Sequence, residues 1–161
     1  MSAQAPATQA LELGKLCRRD VVSIHTDEDI AAAARLMREK HVGYLVVIET
    51  GGDAGTNRVV GALTDRDIVV AVVARGVDPS SLKVGDVMTR NPLLIGEDCS
   101  LDAALSFMRD AGVRRVPVVG AHQEPLGVLS LADVLERMAQ QLTNIAASTR
   151  NEQRTESLVR P

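Results

Sequence analysis

The sequence predicts an α/β (α+β) fold made of two β-α-β-β-α units that fold as a pair, and three observations predict it. The first is self-similarity: a shift of 71 residues lays Gly14 on Gly85, Ile24 on Ile95, Met37 on Met108 and Val42 on Val113 with no gap. Further along, the shift falls to 66 and lays Gly61 on Gly127, Leu63 on Leu129 and Asp67 on Asp133. The second is a pair of apolar stripes at helical spacing, one per unit. The third is the set of short aliphatic runs around them, bounded by turn residues, which read as strands.

In chain order, a strand at 21–24 leads into a helix whose stripe is Ile30, Ala33, Ala34 and Met37, at i, i+3, i+4 and i+7. Strands at 44–48 and 59–63 follow. The loop between them, 50–57, is rich in Gly, Asp and Asn, and accounts for the fall in offset as a longer, flexible hairpin. A helix at 65–75 closes the unit. The connector 76–86 holds Pro79 and Ser80 and is short, so it brings the two sheets together. The second unit repeats the order: a strand at 93–95, a helix with Leu101, Ala104, Leu105 and Met108, strands at 116–119 and 126–129, and a helix at 131–141. The two domains span 12–76 and 83–142. A unit of about 60 residues is marginal by itself, so the two fold together. Residues 1–11 and 143–161 lack a core stripe and are expected to be flexible or frayed.

A chain of 161 residues leaves no room for a catalytic domain beside the repeats. Hydrophobic residues at 45% and charged residues at 24% are the balance of a folded protein, which excludes wholesale disorder. Tyr44 and Phe107 are the only aromatic residues, so the core is aliphatic and no stacking platform for single-stranded nucleic acid can be assembled. With 18 basic and 21 acidic side chains, the net charge of -3 opposes a nonspecific grip on DNA or RNA. Apolar runs such as 68–74 fall far short of the roughly 18 residues of a membrane span. Cys17 and Cys99 are isolated and no secretory pattern opens the chain, so a reducing cytoplasm is expected.

The sharpest shared feature is Gly61-Ala62-Leu63-Thr64-Asp65-Arg66-Asp67, matched by Gly127-Val128-Leu129-Ser130-Leu131-Ala132-Asp133. Both run from a strand into a helix. One reading is capping: Thr64 or Ser130 accepts a backbone N–H, and the acid three residues on completes a capping box. The other is ligand binding: free N–H groups and a hydroxyl hold phosphate, glycine admits a close approach, and the carboxylate accepts from a ribose diol. Either reading fits each copy.

The repeated unit ending in G-h-x-(T/S)-x-x-D resembles a tandem pair of CBS domains, the cystathionine beta-synthase type also called a Bateman module. Leu63-Thr64-Asp65-Arg66-Asp67-Ile68-Val69 and Val113-Arg114-Arg115-Val116-Pro117-Val118-Val119 are similar to segments of small bacterial proteins made only of two such domains. The likeness covers about residues 12–140. It implies a pseudo-twofold pair with two clefts, an adenosine-containing ligand such as AMP, ADP, ATP or another adenosyl compound, and a disc-shaped homodimer. It also implies that Thr64 and Ser130 face phosphate, that Asp67 and Asp133 face ribose, and that Val22 and Leu93 line the adenine.

The units diverge where Arg114, Arg115 and Pro117 replace Gly43, Tyr44 and Val46. An arginine pair favours a polyphosphate tail, which makes the second unit's cleft, with Ser130 and Asp133, the expected anion site. Adjacent strand residues point to opposite faces, so at least one of the two arginines is expected to lie on a solvated edge. His25, His41 and His122 stand far apart and the cysteines are not spaced as ligands, so no metal site is expected. Ser106 and Ser130 lack a nucleophile setting. The acids Asp27, Glu28 and Asp29 suit a helix start. The expected function is a non-catalytic regulatory module that binds an adenine nucleotide and acts on an unidentified protein target. The rival is a ligand-free structural dimer. In both, Ile68, Val69, Val72, Val73, Val134, Leu135 and Met138 supply more apolar surface than one small core needs.

Overall fold

The computed structural model describes Cys17 and residues 19–51 and 55–159, with side chains to Ser148. The expectation that 1–11 is frayed lies outside the described residues. Two sheets form, one per repeat. In the first, β1 (Ser23–His25) runs parallel to β2 (Tyr44–Gly51), which is antiparallel to β3 (Thr56–Thr64), which is antiparallel to β4 (Thr89–Arg90). In the second, β5 (Ile95–Gly96) runs parallel to β6 (Arg115–Val119), which is antiparallel to β7 (Pro125–Ser130). Each central hairpin carries a register shift, at Val47/Ile48 and at Val118/Val119, which are equivalent positions of the repeat.

Helices α1 (Ile30–Lys40) and α4 (Leu101–Ala111) are the equivalent amphipathic helices. Ile30, Ala33 and Met37 are buried in the first core, and Leu101, Ala104 and Met108 in the second. Ala34 is exposed, and Leu36 packs against the core in its place. The stripe is narrower than four positions because the helix meets its sheet along the i, i+3, i+7 line. Between the sheets a third apolar cluster, Val46, Ile48, Val59 and Val119, joins the repeats. Val59 N–H also donates to the Gln123 carbonyl at 2.9 Å.

Within the segment expected as a loop at 50–57, the ends are strand, since Thr50 pairs with Asn57 and Gly51 with Thr56. Cross-strand polar pairs hold it: Thr50 Oγ1 donates to Asn57 Oδ1 at 2.8 Å, and Arg58 lies 3.6 Å from Glu49. The helix expected at 65–75 is α2 (Asp65–Ala71) followed by a 3₁₀ turn, Val73–Arg75, which ends at left-handed Gly76. The break falls at fully buried Val72, whose carbonyl accepts from Val77 N–H at 3.1 Å.

The connector does more than span a gap. Val84 N–H donates to the Glu28 carbonyl at 2.8 Å, and Gly85 N–H to the Thr26 carbonyl at 2.9 Å. Lys83 Nζ reaches Asp29 at 2.7 Å, which holds its ammonium proton above the usual lysine range. Val84, in α3 (Val84–Val87), and Met88 are buried in the first repeat's core. Residue 88 is the equivalent of Cys17, and Cys17 packs against the second repeat's core. Each repeat's entry segment is thus lent to the other repeat.

The last helix, α5 (Leu131–Val159), runs well past the expected end near 141. No Gly or Pro interrupts 131–159, and Ala, Gln, Glu, Arg and Leu favour helix throughout.

Candidate functional site

β4 sets the geometry of the clefts. By pairing Thr89 with Ala62 and Arg90 with Gly61, it draws the second repeat's entry segment across the end of the first repeat's hairpin. Thr64 and Asp67 therefore share a cleft of about 290 Å³ with Asn91, Leu93, Arg114 and Arg115. Ser130 and Asp133 share one of about 210 Å³ with Asp20, Val22, Gly43 and Tyr44. The two are counterparts: Thr64 answers to Ser130, Asp67 to Asp133, Leu93 to Val22 and Asn91 to Asp20. Each is walled by a hydroxyl-and-acid segment from one repeat and the opening segment of the other.

This crossing corrects the expected anion site. Arg114 lies in the cleft of Thr64 and Asp67, away from Ser130 and Asp133, although it shares their repeat. Both arginines line that cleft, and both are exposed. Strand alternation does not govern Arg114, because β6 begins at Arg115. Three expected site residues line neither cleft. Pro117 is buried in β6 opposite Val128. Gly127 is buried opposite Val118. Gly61 faces the side chain of Met88 and the Thr89 carbonyl, so its missing Cβ admits β4 instead of a ligand.

The capping reading and the binding reading prove compatible. Asp67 Oδ2 accepts from Thr64 N–H at 2.8 Å and from Thr64 Oγ1 at 2.7 Å, while Asp67 N–H donates to Thr64 Oγ1 at 3.1 Å. The capping box is complete, yet Oδ1 of Asp67 takes no hydrogen bond among the described residues and is left to accept another donor. In the counterpart, Ser130 Oγ donates to Asp133 Oδ2 at 2.6 Å and accepts from Asp133 N–H at 3.1 Å.

Sequence reasoning passed over Tyr44 as a site residue. It lines both clefts, as does Arg115, its equivalent at the offset of 71. Burial pushes the Tyr44 phenol up to about 12, against an opposing pull from Arg115. Projecting the cleft-lining Arg115 back through the repeat would have found it. Asp20, Asn91 and left-handed His41 also line clefts and carry no local signal. Among the described residues, no group of three or more His, Cys, Asp or Glu side chains could hold a metal ion, and no helix is long and apolar enough to cross a membrane.

Comparison with known proteins bears on both repeats: residues 13–74 and 84–140 each match the CBS domain. The chain is 33% identical over 118 residues to Hypoxic response protein 1 of Mycobacterium tuberculosis, covering 73% of this chain and 78% of that protein. It is 28% identical to MK0525 of Methanopyrus kandleri, covering 80% of this chain but only 63% of that one. In structure it is similar to Hypoxic Response Protein I with two coordinated zinc ions, at a TM-score of 0.64 and 32% identity, over 76% of this chain and 95% of that one. The CBS domain pair of protein MJ0100, solved with 5-methylthioadenosine and S-adenosyl-L-methionine, has a TM-score of 0.68, covering 80% of this chain and 96% of that one. At 21% identity that likeness is one of fold.

Proposed function

The chain belongs to the CBS domain family, and on that premise we propose that it is a regulatory module that binds an adenosine-containing nucleotide and catalyses no step. The observation that carries this reading is the pair of equivalent clefts, each closed by both repeats, because a ligand seated there bridges the repeats and changes how they pack. Asp67 Oδ1 accepts from the ribose hydroxyls, Asp133 does so in the counterpart cleft, and Thr64 and Ser130 lie toward the phosphate. Leu93 and Val22 offer apolar walls to the adenine. The adenosyl ligands of MJ0100 support the class of ligand through the shared fold. A homodimer in the cytoplasm, acting on a protein target, completes the proposal.

A second reading is favoured by one specific observation: the capping box of Thr64 and Asp67 closes without any ligand. A thermal-shift panel of AMP, ADP, ATP, S-adenosylmethionine and NAD separates the two. A ligand at about one hundred times its dissociation constant adds about 2.7 kcal/mol, a rise of roughly 5–10 °C for a chain of this size. Asp67→Ala abolishes most of the rise for ATP, since both arginines line the cleft of Asp67, and Asp133→Ala does less. The unliganded melting point is measured beside each. No rise with any of the five leaves the structural dimer as the function.

A further inference from the structure

Asn91 follows β4 and lines the Thr64 cleft beside the apolar wall of Pro92 and Leu93. Its N–H donates to the Val60 carbonyl at 3.2 Å, which places its backbone four residues along β3 from Thr64, about 13 Å at the rise of a strand. Thr64 and Asp67 thus stand toward one end of the cleft and Asn91 toward the other. The Asn91 side-chain amide makes no hydrogen bond among the described residues. Its backbone is left-handed, at φ 48°, directly before a proline. Of the described non-glycine residues only His41, Asn91 and Gln123 are left-handed, so the repeat equivalent, Asp20, is not. His41 caps α1 and Gln123 closes the turn between β6 and β7. Asn91 does neither. Glycine would hold this conformation at less cost, whereas asparagine tolerates it and brings an amide to the cleft.

We propose that Asn91 selects adenine as the base held in the Thr64 cleft. An amide carries a donor and an acceptor side by side, so it pairs with the N6 amino group and N7 of adenine, whereas guanine presents two acceptors, O6 and N7, on the same edge. Pro92 and Leu93 give the base its apolar wall, and Asp67 Oδ1 takes the ribose further along the cleft. The inference rests on the nucleotide-binding reading above and deepens it, because it names the residue that reads the base.

Isothermal titration of the full chain with ATP and with GTP tests it, followed on the binding component that Asp67→Ala removes. The unmodified chain prefers ATP by about tenfold or more, as a two-bond contact to a base edge requires. Asn91→Gly weakens ATP by about the same factor, leaves GTP within about twofold, and does not lower the melting point of the unliganded chain. 7-Deaza-ATP, which lacks the N7 acceptor, binds the unmodified chain more weakly than ATP and binds Asn91→Gly as well as ATP does. A preference for ATP that survives Asn91→Gly overturns the proposal, as does an equal loss of ATP and GTP, which marks a residue that only shapes the corner. Should the glycine variant not fold, Asn91→Asp decides: it keeps the size and the tolerance of a left-handed backbone, replaces the donor with a second acceptor, and must abolish the preference. Such failures, with ATP still bound through Asp67, leave the nucleotide reading standing. No binding of either nucleotide, or none that depends on Asp67, overturns both.

Discussion

Tyr44 is the single tyrosine of a chain without tryptophan, so its ionisation can be read without interference. Its phenol lies between the clefts, where burial outweighs the attraction of Arg115 and lifts its titration from 10.0 to about 12. The folded chain keeps the proton to higher pH than the unfolded chain does. The stability Tyr44 contributes is therefore complete below pH 10.0 and is lost as pH rises toward about 12. A phenolate-absorbance titration should give a single midpoint near the higher value in native buffer and near the lower one in denaturant. A native midpoint at the ordinary tyrosine value would place the ring in water, outside the cleft wall. Nothing local to Tyr44 announces this role, because an aromatic residue opening a strand reads as core. Thr64 and Asp67, by contrast, were legible, since a capping box is written in consecutive residues.

At the scale of elements, the contact of β4 with β3 is what assembles the site. Gly61 sits where a Cβ would overlap the Met88 thioether and press on the Thr89 carbonyl. Gly61→Ala should therefore destabilise the fold by about 1–3 kcal/mol, the usual cost of overpacking. Met88→Ala should cost about 2–5 kcal/mol through the cavity it leaves. The double variant should cost less than the two added together, because the shorter side chain removes the collision. Additive costs in chemical denaturation would mean that β4 does not press on Gly61. The sequence shows two glycines at equivalent positions and suggests ligand approach; the packing shows a backbone crossing.

At the scale of the molecule, the described surface concentrates its large exposed apolar side chains on α2 and α5. Val69 and Val70 lie on α2 with Val73 on the turn that follows it, and Leu135, Met138, Leu142 and Ile145 lie on α5. Val69 and Leu135 are equivalents, so the two patches repeat each other as the clefts do, a pattern suited to a self-complementary dimer. Leu135, Met138, Leu142 and Ile145 follow a three-four-three spacing, which makes one continuous stripe along α5. The proposed homodimer should dissociate in Val69→Glu combined with Leu135→Glu, halving the mass seen by light scattering. Both side chains are more than half exposed in the single chain, at 55% and 65%, so each change should move the monomer's stability by no more than about 0.5 kcal/mol. An unmodified chain that scatters as a monomer at micromolar concentration would remove the dimer.

The sequence by itself determined the repeat, the β-α-β-β-α order within each unit, the aliphatic core, and the two hydroxyl-and-acid turns, because each is a short-range periodicity or a pattern carried over from one half to the other. The tertiary structure alone decided which residues meet. It put Arg114 and Asp67 in one cleft across the repeats, put Tyr44 and Arg115 between the clefts, and gave Gly61 to Met88. Those pairings depend on β4 crossing from one repeat to the edge of the other's sheet, a contact made by a two-residue strand with no periodicity of its own. A periodic pattern reports which face of an element is apolar; it does not report which distant segment that face will meet.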